Sequence, residues 1–300
     1  MAHPETTLVT FLLDRSGSMG QIWDETIGGF NVYLETLQKG CEAIKFTLLQ
    51  FDSGGIDKCC VAEPVANVTR LDRSSYQPRG GTPLIDAAFK TITAVEDSLK
   101  KYDTVPKIIV CIQTDGHENQ SREHTWEEVK RLITEKTEKG WQFNFMGTGI
   151  DAYDQGARMG ISAQSTISSG TSKVHIEQAF CCVAESSVRF ARGVSRDTAF
   201  RMSERAAAGD RFAHEHGVSR KRLRSFSNAL SSTASFFNGW RSTPGTMPAT
   251  SQLDKLISIT AIRVLSCFRT IRDRLRSFGV CMGGSIGSRQ RRWIPSPPTP

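Results

Sequence analysis

Two apolar runs, Leu8 to Leu13 and Ile108 to Ile112, limit what this chain can fold into more than any other feature. Each is rich in Leu, Ile or Val and bounded by turn residues. That is the pattern of a strand buried on both faces, as in a parallel sheet with helices packed on either side. Parallel neighbours cannot be joined by a tight turn, so helix-like segments must alternate with such strands.

They do so over roughly residues 6 to 190. Thr7 to Leu13 reads as the first strand. A helix follows from Asp24, read as its N-cap, to Gln38, with Ile27, Phe30, Leu34 and Leu37 on one face and Gly40 as its stop. Gly28-Gly29 inside it should cost about 1 kcal/mol each against Ala, so close packing against the sheet is expected there. Ile44 to Phe51 reads as strand two and Cys59 to Val68 as a short edge strand. The turn Asp52-Ser53-Gly54-Gly55 is too short for a crossover helix, so the edge strand should run antiparallel. A helix from Pro83 to about Lys101, a strand from Lys107 to Gln113 and a helix from Thr125 to Lys139 follow. Gln142 to Gly147 (strand), Ala152 to Met159 (helix), Ser165 to Ile167 (strand) and Val174 to Phe190 (helix) complete the pattern. The expected fold class is α/β: a doubly wound, mostly parallel, six-stranded sheet with one antiparallel edge.

The net charge of +7 hides a division within the 300 residues. Residues 213–300 carry 14 Lys+Arg against 3 Asp+Glu, whereas 1–212 carry 24 against 28. The basic pI therefore belongs to the C-terminal stretch and is poor support for nucleic-acid binding by the rest. In that stretch Arg outnumbers Lys 12 to 2, and it holds 6 of the 11 prolines. Such a Ser/Arg/Pro-rich composition predicts a poorly ordered tail after a domain spanning 1–212; a frame-shifted or readthrough extension would look the same. Within it, Gln252 to Phe278 has the spacing of a basic amphipathic helix, which leaves membrane or nucleic-acid contact through the tail as a weak alternative. No run approaches about 20 apolar residues, and Met1-Ala2-His3-Pro4-Glu5 lacks a positive signal region. The 8 cysteines include two adjacent pairs and no CxxC framework, which fits a reducing, cytoplasmic setting.

Three short segments carry hard oxygen ligands: Asp14-Arg15-Ser16-Gly17-Ser18, Gly81-Thr82-Pro83 and Thr114-Asp115-Gly116. The first and third directly follow predicted strands and the second precedes a predicted helix. Taken singly, each reads as helix capping or turn closure. Jointly they place two carboxylates and three hydroxyls on one rim, where open α/β sheets bind ligands. Oxygen donors of this kind suit Mg²⁺ or a similar divalent cation such as Mn²⁺.

In these segments, extended to Met19 and to Gly80 and Leu84, the chain resembles the von Willebrand factor A family with its metal-ion-dependent adhesion site. The resemblance covers residues 6 to 190, extending towards Phe212, and no departure from the motif is visible. It implies that Ser16, Ser18 and Thr82 offer hydroxyls to a metal, with Asp14 and Asp115 bound directly or through water. It also implies a non-catalytic module whose protein partner completes the coordination with an acidic side chain, within an ATPase or multiprotein assembly. The alternative is a metal-dependent hydrolase, with His117, Glu118 or Asp52 as base; each reads more simply as a loop residue. No GxSxG elbow follows a predicted strand, and no GxxxxGK[ST] loop is present. His214-Glu215-His216 falls in the stretch assigned to the tail and is given no metal, and Asp151 is read as shaping the rim by hydrogen bonds. Trp126 and Trp141 are read as packing residues.

Overall fold

The computed structural model describes residues 6–218, which lie within Met1–Ala229, the first of two units of the chain. The expectation of a poorly ordered tail over residues 219–300, including the amphipathic stretch at 252–278, lies outside the described residues.

Six strands form one sheet in the order β3-β2-β1-β4-β5-β6. They are β1 (Thr7–Asp14), β2 (Ile44–Asp52), β3 (Gly55–Pro64), β4 (Lys107–Thr114), β5 (Gln142–Thr148) and β6 (Thr166–Ser169). All neighbours are parallel except β2 and β3. The helices are α1 (Trp23–Gly40), α2 (Leu84–Leu99), α3 (Trp126–Glu138), α4 (Ala152–Arg158), α5 (Lys173–Ala191) and α6 (Met202–Ala207). Among the described residues no helix is long and apolar enough to cross a membrane.

Alternation along β1 divides the core. Val9, Phe11 and Leu13 pack with Phe30, Tyr33 and Phe180 of α1 and α5. Leu8 and Leu12 pack with Leu84, Ile92, Val129 and Ile133 of α2 and α3. The period of two along a pleated strand sends neighbouring residues to opposite faces, so both faces of the sheet are covered. From β1 the chain builds outward through β2 and β3, then returns to build β4, β5 and β6 on the other side. The switch in direction lies between β1 and β4, which places a ligand crevice at the C-terminal ends of those two strands.

Three local expectations are corrected. The edge strand is Gly55–Pro64, earlier than Cys59 to Val68, and a short 3₁₀ turn occupies Val65–Asn67. Asp52 pairs with Gly55 across a two-residue hairpin loop, and Gly55 has φ of 125°. A positive φ suits glycine and lets the chain reverse at once, ahead of the apolar residues that had marked the strand. Asp24 is not the cap of α1: a 3₁₀ segment, Gly17–Ile22, runs straight into the helix, and Asp24 bonds Arg73 instead.

The glycines of α1 do mark close packing, but against α5 rather than the sheet. A Cβ at Gly29 would lie 2.4 Å from Cδ2 of the buried Phe180 ring, whereas one at Gly28 would lie 3.4 Å from the end of Glu177. Gly29→Ala should therefore destabilise the domain by roughly 1–3 kcal/mol through overpacking. Gly28→Ala should be neutral or stabilising, because helix propensity favours Ala. Urea denaturation of the two variants checks this, and equal midpoints would contradict the packing argument.

Candidate functional site

Asp14 ends β1 and is fully buried. Its Oδ1 accepts the Ser16 N–H at 2.6 Å, and its Oδ2 accepts the hydroxyl of Thr114, the last residue of β4, at 2.6 Å. Ser16 Oγ lies 3.1 Å from Ser18 Oγ, and the Ser18 hydroxyl donates to Asp115 Oδ1 at 2.7 Å. A Cβ at Gly116 would lie 3.5 Å from Ser18 Oγ and 3.8 Å from Thr82 Oγ1, so both hydroxyls border the same small space. All five predicted site residues thus meet on one rim, although nearly a hundred positions separate Ser18 from Asp115.

Their oxygens are not taken up by helix capping. Ser16 precedes the 3₁₀ segment, yet its side chain makes no capping bond, and the cap position of α2 is Pro83 rather than Thr82. Thr82 is instead fixed through its backbone: its N–H donates to Asn119 Oδ1 at 2.9 Å, and its carbonyl accepts the Asn119 N–H at 3.2 Å.

Burial pushes the Asp14 carboxyl up to about 6, against the lowering pull of its Thr114 and Ser16 hydrogen bonds. Burial likewise raises Asp115, partly offset by the Ser18 hydroxyl. Among the described residues neither carboxylate has a cationic partner. Arg15, the nearest cation in sequence, turns away: its guanidinium bonds Asp52 at 2.8 Å and Asp57 at 2.7 Å. Two adjacent carboxylates without a counter-charge, beside three neutral hydroxyls that make no capping bonds, are oxygen donors of the kind a small hard cation accepts.

Residues that the motif does not mark hold this rim. The Tyr76 hydroxyl donates to the Asp14 carbonyl at 2.7 Å. The Gly17 N–H donates to Gly80 O, and the Arg79 N–H to Arg15 O, tying the first two loops together. Glu118 accepts from the backbone of Ile85, Gln120 and Ser121 and from the Ser121 hydroxyl, and Asp86 accepts from the backbone of Arg122, Glu123 and His124. Gln155 of α4 donates to Gly116 O at 3.1 Å. Apart from the local bonds of Glu118 to Gln120 and Ser121, these contacts are long-range in sequence, and isolated Glu, Asp, Asn or Tyr residues carry no local signal for them. Of the three conceivable bases, Glu118 is thus a loop staple. Burial would raise Asp52, but hydrogen bonds from Arg79 and the Gly54 N–H and the Arg15 charge hold it below the usual carboxylate range. His117 is an exposed loop residue.

A doubly wound six-stranded sheet with helices on both sides and one antiparallel edge strand is a von Willebrand factor A-like fold. No protein-family model and no curated protein matches the chain. Solved structures are similar to it in architecture at low identity. A von Willebrand factor type A protein from Catenulispora acidiphila is 15% identical with a TM-score of 0.44, over 63% of this chain and 43% of that one. Proximal thread matrix protein 1 from the mussel byssus is 14% identical with a TM-score of 0.43, over 61% and 46%. Manganese-loaded TRAP from Plasmodium vivax is 16% identical with a TM-score of 0.40, over 59% and 74%. The matched part spans less than half the length of the mussel and Catenulispora proteins.

Proposed function

We propose that Asp14, Ser16, Ser18, Thr82 and Asp115 hold one divalent cation, Mg²⁺ or Mn²⁺, and that the chain is a cytoplasmic, non-catalytic protein-binding module. The observation that supports this most is the pairing of a fully buried carboxylate, Asp14, with a second one from a distant part of the chain, Asp115, with no cationic side chain between them among the described residues. Burying an ionised carboxylate without a partner is strongly unfavourable, so the arrangement calls for a positive charge from outside the chain. A cation held by these five residues would leave a coordination position that an Asp or Glu of a protein partner could take. The chain's own part is to present the hydroxyls of Ser16, Ser18 and Thr82, which satisfy the metal without neutralising its attraction for an anion. Asn119, Tyr76 and Gln155 keep the three loops in register while this happens. A partner within an ATPase or multiprotein assembly fits such a role.

A hydrolase at the same rim needs a base free to take a proton; Glu118 and Asp52 are already committed to loop backbone and to Arg15 and Arg79, which leaves the exposed His117 as the one candidate of the three. The adhesion reading is therefore favoured. It is tested by calorimetric titration of the metal-stripped chain with Mg²⁺ and Mn²⁺, followed by affinity capture in metal or chelator. Partners should be retained by the wild-type chain in metal, and lost both in chelator and with Asp14→Ala. Equal recovery in all conditions would count against the proposal.

A further inference from the structure

We propose a second divalent-cation site, formed by Asp151, Asp154 and His216, that differs in chemistry from the all-oxygen rim. Asp151 precedes α4 and Asp154 lies one turn along it, at the spacing that puts two side chains on the same helical face. His216 arrives from a segment 65 residues further on. One ligand atom from each of the three lies within 4.8 Å of the others. Donors around a tetrahedral ion bonded at ~2 Å sit ~3.3 Å apart, so small side-chain rotations suffice to close the set.

The preparation of the three donors sets this site apart from a chance group of surface acids. Asp151 divides its oxygens: Oδ1 accepts the Tyr153 N–H at 3.0 Å, and Oδ2 faces His216 Nε2 at 2.8 Å. One oxygen is thus anchored to backbone while the other points into the cluster, as metal-ligating carboxylates are held by their outer partners. The His216 ring is stacked on Tyr153 at 4.7 Å and 13°, which fixes the direction of Nε2. Tyr153 is itself held by Asp210 at 2.6 Å. The Asp154 carboxylate forms no hydrogen bond or ion pair among the described residues and is exposed, leaving one side open to water ligands.

One imidazole nitrogen with two carboxylates is a borderline donor set. It favours Zn²⁺, and to a lesser degree Mn²⁺, over Mg²⁺, which prefers oxygen alone. The ion would clip the segment carrying His216 to the start of α4, the helix whose Gln155 bonds the carbonyl of Gly116 on the rim. This site stands independently of any metal at Asp14.

The test uses the full chain carrying Asp14→Ala, so that the rim does not contribute. Metal-stripped protein is dialysed against Zn²⁺, and bound metal is counted by elemental analysis, with and without excess Mg²⁺. One Zn²⁺ per chain should be retained and resist Mg²⁺. Adding Asp154→Asn or His216→Ala should weaken it at least tenfold, with unchanged far-ultraviolet circular dichroism. Both replacements are partly or fully exposed and leave the Asp151 cap intact. Absence of Zn²⁺ in the Asp14→Ala chain, or undiminished Zn²⁺ in both further variants, overturns the site and leaves an Asp151–His216 hydrogen bond only.

Discussion

Asp14→Asn should make the metal-free protein more stable at neutral pH, not less. The folded state holds the Asp14 carboxyl at about 6 against an ordinary 3.8, because burial disfavours its charge. Between those values the folded chain retains a proton that the unfolded chain releases, so stability falls as pH rises from about 4 to 6 and stays reduced above. At 1.36 kcal/mol per pKa unit, the penalty above pH 6 amounts to at most about 3 kcal/mol. Asn cannot ionise, so its contribution is flat across that window, and its amide can still accept from the Ser16 N–H. Urea denaturation in chelator should show the variant more stable than wild type at pH 7.5, with the gap closing towards pH 4. Adding Mg²⁺ should reverse the ranking, because only the wild-type carboxylate regains a counter-charge. Wild type equal to or above the variant at pH 7.5 in chelator would mean that Asp14 carries no such penalty.

This prediction depends on a residue whose position was legible from its surroundings in the sequence. Asp14 and Asp115 follow apolar runs that could only be buried strands, and the doubly wound order brings the ends of two such strands together at its switch point. Burial of β1 and β4 on both faces is what wrote their positions into local composition. The edge strand shows the opposite case. It is largely exposed on both faces, so Asp57, Lys58 and Glu63 are compatible with it and no hydrophobic pattern fixed its start. The supports of the rim were invisible for another reason. Asn119, Glu118, Asp86 and Gln155 act through single hydrogen bonds or small bond clusters to distant backbone, which no spacing rule encodes. His214-Glu215-His216 was set aside because the composition around it resembles a tail, yet residues up to Val218 are described and Ala213 is buried.

Arg205 explains how that last segment is held, and its removal should produce the largest loss of stability. Its side chain is fully buried. One guanidinium nitrogen reaches the Tyr153 hydroxyl and lies 3.4 Å from Asp210 Oδ2, while the other donates to the carbonyls of Ala163 at 2.9 Å and Gln164 at 2.8 Å. Asp210 also accepts from the backbone of Ser168, Phe212 and Ala213, so one ion pair joins β6, α4 and the C-terminal segment. Truncating one member leaves the other charge buried without its partner, a loss of roughly 3–5 kcal/mol. For a domain of this size Arg205→Ala should lower the melting temperature by about 10 °C, at roughly 2–4 °C per kcal/mol. Arg205→Lys should fall between, since an ammonium keeps the charge but cannot span both carbonyls and Asp210. The Mg²⁺-induced stabilisation should survive in both, because the rim contacts none of these groups directly. Zn²⁺ retention should weaken with Arg205→Ala, because Tyr153 and the segment bearing His216 lose their common anchor. A melting temperature within 2 °C of wild type would show that the C-terminal segment is held by apolar packing alone.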